Sequence, residues 1–120
     1  METGAHRRIL LVDDNRDMLE PLAELLRAEG HEVQASTDGP SALDLVNRFA
    51  ADVAVIDINL PVMDGHQLAT RLRALDRVPR LIALSGYGLP SDRARSARAG
   101  FAVHLTKPVD LDRLLEAVSA

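Results

Sequence analysis

The chain has 120 residues, with no cysteine, no tryptophan and a formal net charge of -4. One domain with a single hydrophobic core suits that length, and the missing cysteines exclude a disulfide framework, a thiolate metal site and a thiol nucleophile. The mild charge, with no basic block or aromatic-basic interleaving, argues against direct nucleic-acid binding. No apolar run could cross a bilayer and no signal-peptide core opens the chain, so a cytoplasmic protein without membrane contact is expected.

The first apolar run, Ile9 to Val12, reads as a buried strand and ends at Asp13-Asp14. Asn15 caps a helix whose apolar positions are Met18, Leu19, Leu22, Leu25 and Leu26, with Gly30 as its stop. Pro21 inside it removes one backbone donor and should bend it. Val33 and Ala35 alternate with polar residues as in a second strand. Asp38-Gly39-Pro40 then starts a helix that turns Ala42, Leu43, Leu45, Val46 and Phe49 inward.

A third run, Val53 to Ile56, stops abruptly at Asp57, and Pro61 with Asp64-Gly65 turns the chain. The third helix points Leu68, Leu72 and Leu75 inward and Arg71 and Arg73 to water. Leu81 to Leu84 form a fourth strand ending at Ser85, followed by a loop at Gly86-Tyr87-Gly88. Pro90, Ser91 and Asp92 open a fourth helix rich in Arg and Ala, and its thin apolar face predicts the least firmly held helix. Gly100 stops it, Phe101 to Leu105 form a fifth strand, and Thr106-Lys107-Pro108 follow. Asp110 caps a last helix carrying Leu111, Leu114, Leu115 and Val118.

Strand and helix thus alternate five times. That pattern predicts a parallel sheet with helices on both faces, right-handed crossovers, and a ligand site outside the carboxyl ends of the strands. Asp13, Asp14, Asp57, Ser85 and Lys107 all fall at such ends. Each has a bland reading: Asp13 and Asp14 as turn and cap, Asp57 as a loop acid, Ser85 as turn chemistry, Lys107 as a solvated side chain. Together, each closing an apolar run, they are a poor fit to coincidence.

The chemistry of the set is coherent. Crowded carboxylates repel one another, and a hard divalent cation such as Mg²⁺ relieves that. An ionised Asp57 could attack a phosphoryl group, with Lys107 supplying positive charge and Ser85 a hydrogen bond. A carboxylate nucleophile needs no general base at neutral pH.

The segments LLVDDN, VAVIDINLPVMDG, ALSGYG and HLTKPVD, in that order, resemble the receiver domain of two-component response regulators, and the likeness spans nearly the whole chain as one domain. The resemblance implies a flavodoxin-like, doubly wound five-stranded parallel sheet of order 2-1-3-4-5 with five helices. It implies that Asp57 accepts phosphate from a histidine kinase or histidine phosphotransfer protein. Asp14 and Asp13 would hold Mg²⁺ with Asp57 and the backbone carbonyl of Asn59, one acid acting through water. Ser85 stands at the hydroxyl position, Lys107 at the lysine position, and the Lys107-Pro108 bond should be cis. Such a domain is no turnover enzyme. On phosphorylation Ser85 and the loop after it would move, and the face built from the fourth helix, fifth strand and last helix would meet a downstream partner or effector domain.

One position departs from the pattern. Three residues before Lys107, where the family usually has Tyr or Phe, stands His104. A partly exposed edge-strand side chain is the preferred reading over a proton-sensitive switch. The HLTKP form is similar to receivers attached to hybrid histidine kinases. Rival readings are a pseudo-receiver that takes no phosphate, an aspartate-nucleophile phosphatase, which would want an acid at Asn59, and a flavodoxin-like cofactor binder, whose phosphate loop Asp13-Asp14-Asn15 would repel.

Overall fold

The apolar runs become β1 (Arg8–Val12), β2 (Glu32–Ser36), β3 (Val53–Asp57), β4 (Arg80–Ser85) and β5 (Val103–Thr106). Between and after them lie α1 (Arg16–Ala28), α2 (Gly39–Phe49), α3 (Gly65–Arg73), α4 (Pro90–Ala99) and α5 (Leu111–Ser119). This computed structural model describes residues 6–86 and 90–120. The loop expected at Gly86-Tyr87-Gly88 lies outside the described residues beyond Gly86.

All strand pairs are parallel, in the order β2-β1-β3-β4-β5. Alternation along β1 and β3 feeds two cores. Leu10, Val12, Ala54 and Ile56 face α2 and α3 with Phe49, Leu68 and Leu72. Ile9, Leu11, Val53 and Val55 face α1 and α5 with Leu19, Leu26, Leu114 and Val118. Because β1, β3 and β4 are covered on both faces, their sequences read as continuous apolar runs rather than as alternation. Among the described residues, no helix is long and apolar enough to cross a membrane.

Local signals act as their chemistry dictates. Asn15, Asp38, Asp64 and Asp110 each accept a backbone N–H at a helix start, and Asp64 forms a reciprocal capping box with Gln67. Gly30 and Gly100 have φ of 97° and 103°. Each ends its helix in a paired arrangement, Gly30 N–H to Arg27 and His31 N–H to Leu26, Gly100 N–H to Ala97 and Phe101 N–H to Ser96.

Several expectations need correction. Leu25 is 47% exposed, and Ala23 takes the inward place instead, because the sheet contacts only a narrow stripe of α1. Ala35 is exposed although it shares a face with buried Val33, and Ser36, on the opposite face at the strand end, is buried with its hydroxyl donating to the Asp38 carbonyl. β5 begins at Val103, not Phe101, and continues through Thr106. The Phe101 N–H is spent on the end of α4 and its ring is buried in the α2–α3 core, so the ladder starts later. α1 runs unbroken through Pro21. The thin packing of α4 is as expected: Ser96 is the buried side chain among those described on it.

Candidate functional site

Parallel order brings the ends of β1, β3, β4 and β5 to one edge. Asp13 follows β1 and is fully buried, while Asp57 closes β3 and is 3% exposed. Each carboxylate is fixed the same way. Oδ1 of Asp13 accepts the Asn15 backbone N–H at 2.9 Å, and Oδ1 of Asp57 accepts that of Asn59 at 2.9 Å. The remaining oxygen of each faces Lys107, whose Nζ lies 3.1 Å from Oδ2 of Asp13 and 3.1 Å from Oδ2 of Asp57. Lys107 is itself positioned by its backbone N–H, which donates to the Ser85 carbonyl at 2.7 Å. The Lys107-Pro108 bond is cis, as the resemblance implied.

Asp14 is exposed, yet one carboxylate oxygen each from Asp13, Asp14 and Asp57 lie within 4.8 Å of one another. Three carboxylates against one ammonium leave the notch with uncompensated negative charge. Burial foremost, and the charge of Asp57, push the Asp13 carboxyl up, and the Asn15 N–H and Lys107 only partly offset this. For Lys107, burial alone would lower the pKa, but hydrogen bonds to Asp57 and Asp13 and their charges outweigh it and raise it. An all-oxygen cluster with two buried acids, one exposed acid and surplus negative charge is the donor set a hard dication prefers, so Mg²⁺ fits here.

The other expected residues fall around this notch. Asn59 is exposed and contributes the N–H that orients Asp57. Ser85 is buried at the end of β4 and lines a cleft of 330 Å³ with Asn59, Asp64, His66 and Arg95. Between Asp57 and α3 the chain makes a tight turn: the Met63 N–H donates to the Pro61 carbonyl at 2.7 Å, around Val62 at φ 67°. A β-branched residue in the left-handed region is strained, and such strain gathers beside reactive sites.

His104 is a partly exposed side chain of edge strand β5, as the sequence reading prefers. It is half-buried, with Nδ1 3.0 Å from Oγ of Ser96, which is also 3.3 Å from Nε2 of His66. Sequence reasoning missed Ser96 and His66. The available signal was a helix with no large apolar residue, whose inward position therefore had to be filled by something polar.

Comparison with known proteins agrees with this geometry. Residues 9–119 match the response regulator receiver domain family. The chain is 39% identical over 121 residues to the transcriptional regulatory protein PrrA of Mycobacterium tuberculosis, covering 100% of this chain and 52% of that protein. It is 31% identical over 113 residues to sporulation initiation phosphotransferase F of Bacillus subtilis, covering 94% of this chain and 91% of that one. The chain therefore spans about half the length of the PrrA relatives it matches. Among solved structures, a Francisella response regulator receiver domain superposes with a TM-score of 0.88 at 28% identity, over 94% of this chain and 93% of that chain. Chemotaxis response regulator CheY4 of Vibrio cholerae gives 0.87 at 25% identity, over 95% of this chain and 97% of that chain. Fold, ordered motifs and acid notch converge: this chain belongs to the receiver domain family of two-component response regulators, which are phosphoacceptor signalling domains.

Proposed function

We propose that Asp57 is the phosphoacceptor, loaded from a phosphohistidine on a histidine kinase or histidine phosphotransfer protein. A carboxylate oxygen of Asp57 attacks phosphorus as the phosphorus–nitrogen bond breaks. The bonding pair stays on the leaving imidazole, which takes a proton from solvent, and an aspartyl phosphate results. The Asn59 N–H holds the nucleophile in place, and the Lys107 ammonium offers hydrogen bonds to the transferring oxygens. Asp13 and Asp14, with Asp57 and the Asn59 carbonyl, would hold Mg²⁺, which when bound supplies further positive charge to the phosphoryl oxygens.

The observation that carries the reading is the single ammonium shared by Asp13 and Asp57 inside the three-carboxylate notch. Ser85, at the rim of the adjoining cleft, would take a hydrogen bond partner on the new phosphoryl group. Its movement would carry α4 and β5, biasing a two-state equilibrium and exposing the α4-β5-α5 face to a downstream protein or effector domain. The domain works once per phosphoryl group in the cytoplasm and is not a turnover enzyme.

Incubation with Mg²⁺ and acetyl phosphate tests this. One phosphoryl group should be added by intact mass, and none to Asp57→Asn. Unchanged uptake in that variant would move the acceptor elsewhere, and no uptake by the native domain would favour the pseudo-receiver.

A further inference from the structure

α4 has almost no apolar anchor. Ser96 is 1% exposed, and the other side chains described on the helix are exposed or half-exposed. Its hydroxyl reaches His104 on β5 at 3.0 Å and His66 on α3 at 3.3 Å. One oxygen therefore ties three elements together. The His66 ring is further fixed by an edge contact with Phe101, centroids 6.2 Å apart at 81°.

A hydroxyl has one proton to give and two lone pairs. With both rings neutral, Ser96 donates to one ring nitrogen and accepts N–H from the other, and the bridge is satisfied. A proton added to the accepting ring turns that nitrogen into a second donor aimed at the same oxygen. The serine proton must then turn away, toward the carbonyl one helical turn back. Protonating both rings places two cations on one oxygen at a half-buried site.

The surroundings decide which way this tips. On α4 stand Arg93, whose guanidinium donates to the His104 carbonyl, together with Arg95 and Asp92. Asp64 caps α3, and Asp110 and Arg113 border His104 from the α5 side. Burial first, then the charges of Arg95 and His104, hold the His66 imidazole below its ordinary pKa despite Asp64 and Asp92. The closed bridge therefore disfavours the proton.

We propose that the His66–Ser96–His104 bridge is a proton-operated latch: neutral rings hold α4 against α3 and β5, and acidification through the histidine range frees the helix. His104 keeps its place as a partly exposed edge-strand residue and in this proposal is also the β5 partner of Ser96. The latch needs neither a phosphodonor nor a metal, so it stands or falls apart from the phosphoacceptor reading.

Amide hydrogen exchange on the unphosphorylated domain tests it, at about pH 7.5 and about pH 5.5, on either side of the ordinary imidazole pKa. After correction for the intrinsic rate, protection of residues 92–99 should fall several-fold at the lower pH while β1 and β3 hold theirs. Ser96→Ala should lower α4 protection at both values and remove its pH dependence. His66→Gln, which keeps a hydrogen-bonding group but cannot titrate, should retain protection and flatten the profile. Three outcomes would overturn the latch: pH-independent α4 protection in the native domain, native-like pH dependence in Ser96→Ala, or a loss spread evenly over the sheet.

Discussion

The ammonium of Lys107 lies 3.1 Å from Oδ2 of Asp57, although 50 residues separate them in the chain. Nothing local to either residue demands this. It follows from the strand order, which sets β5 beside β4 and β4 beside β3, and from the Lys107 N–H on the Ser85 carbonyl.

The first prediction concerns that contact. Lys107→Met keeps the aliphatic stem but leaves two buried carboxylates facing each other. Stability in metal-free buffer should fall by about 1–3 kcal/mol, the cost of removing one partner from a charged hydrogen bond. Because the notch then lacks its own cation, added Mg²⁺ should recover part of the loss. Phosphoryl uptake from acetyl phosphate should slow by roughly 10²-fold or more if Lys107 is, as proposed, the donor to the transferring oxygens. Urea titrations with and without Mg²⁺, and uptake followed by mass, check both halves. A variant as fast as the native domain would remove Lys107 from the reaction.

The second prediction turns on Asp13, whose carboxyl is pushed up by burial and by Asp57. A carboxyl with a raised folded pKa favours the fold below its unfolded value near 4 and loses that contribution as pH rises through the folded value. At neutral pH its charge is therefore a burden on the metal-free fold. Asp13→Asn, which can still accept the Asn15 N–H, should raise metal-free stability at pH 7 by about 1 kcal/mol. The same variant should lose most of the stabilisation that saturating Mg²⁺ gives the native domain. Paired melts with EDTA and with Mg²⁺ decide it. A destabilised variant in EDTA would mean that Lys107 needs Asp13 more than burial penalises it.

The strand runs and the ends they hand to one edge were legible in the sequence because two-faced burial writes continuous apolar stretches, and Asp, Ser and Lys interrupt them. The corrections share a different cause. Leu25 and Ala35 are apolar at plausible inward spacings, but how wide a stripe each element buries is set by neighbours that spacing cannot show. Phe101 looked like a strand start because its aromatic ring suits one, while its N–H was already committed to Ser96. The thin apolar face of α4 pointed to a polar inward residue, but not to its partners: His66, Ser96 and His104 belong to three elements and carry no pattern between them.

The third prediction is a pH dependence at the opposite end of the sheet. His31 is buried at the end of α1, and its Nδ1 accepts the Arg7 backbone N–H at 3.1 Å. Burial first, then the charges of His6 and Arg7, lower its pKa. The unfolded chain therefore binds the proton more readily than the fold. Its contribution is whole above about pH 6.5 and is lost as pH falls through the lowered folded value. Protonation also removes the acceptor for Arg7. Stability from urea unfolding should decline as pH drops below about 6.5, and His31→Asn should make that stretch of the profile shallower. An equally steep decline in the variant would assign the slope to other groups.

The last prediction joins packing to chemistry at Gly65. A Cβ built there would stand 2.5 Å from Cα of Ile58 and 2.9 Å from the carbonyl oxygen of Asp57. Both are backbone atoms, so no side chain can turn aside. The first turn of α3 thus rests directly on the segment that leaves β3, and the Gly65 N–H donates to the Ile58 carbonyl at 3.1 Å. Gly65→Ala must push that segment away from the helix. The displaced piece includes Asn59, whose N–H holds Oδ1 of Asp57. Stability should drop by about 1–3 kcal/mol, the usual cost of overpacking. Phosphoryl uptake should fall further than unfolding alone explains, because Asp57, the proposed nucleophile, loses its orienting bond while still folded. Measuring uptake well below the melting temperature separates the two effects. Native uptake in a destabilised but folded Gly65→Ala domain would show that the rest of the notch orients Asp57 without the Asn59 contact.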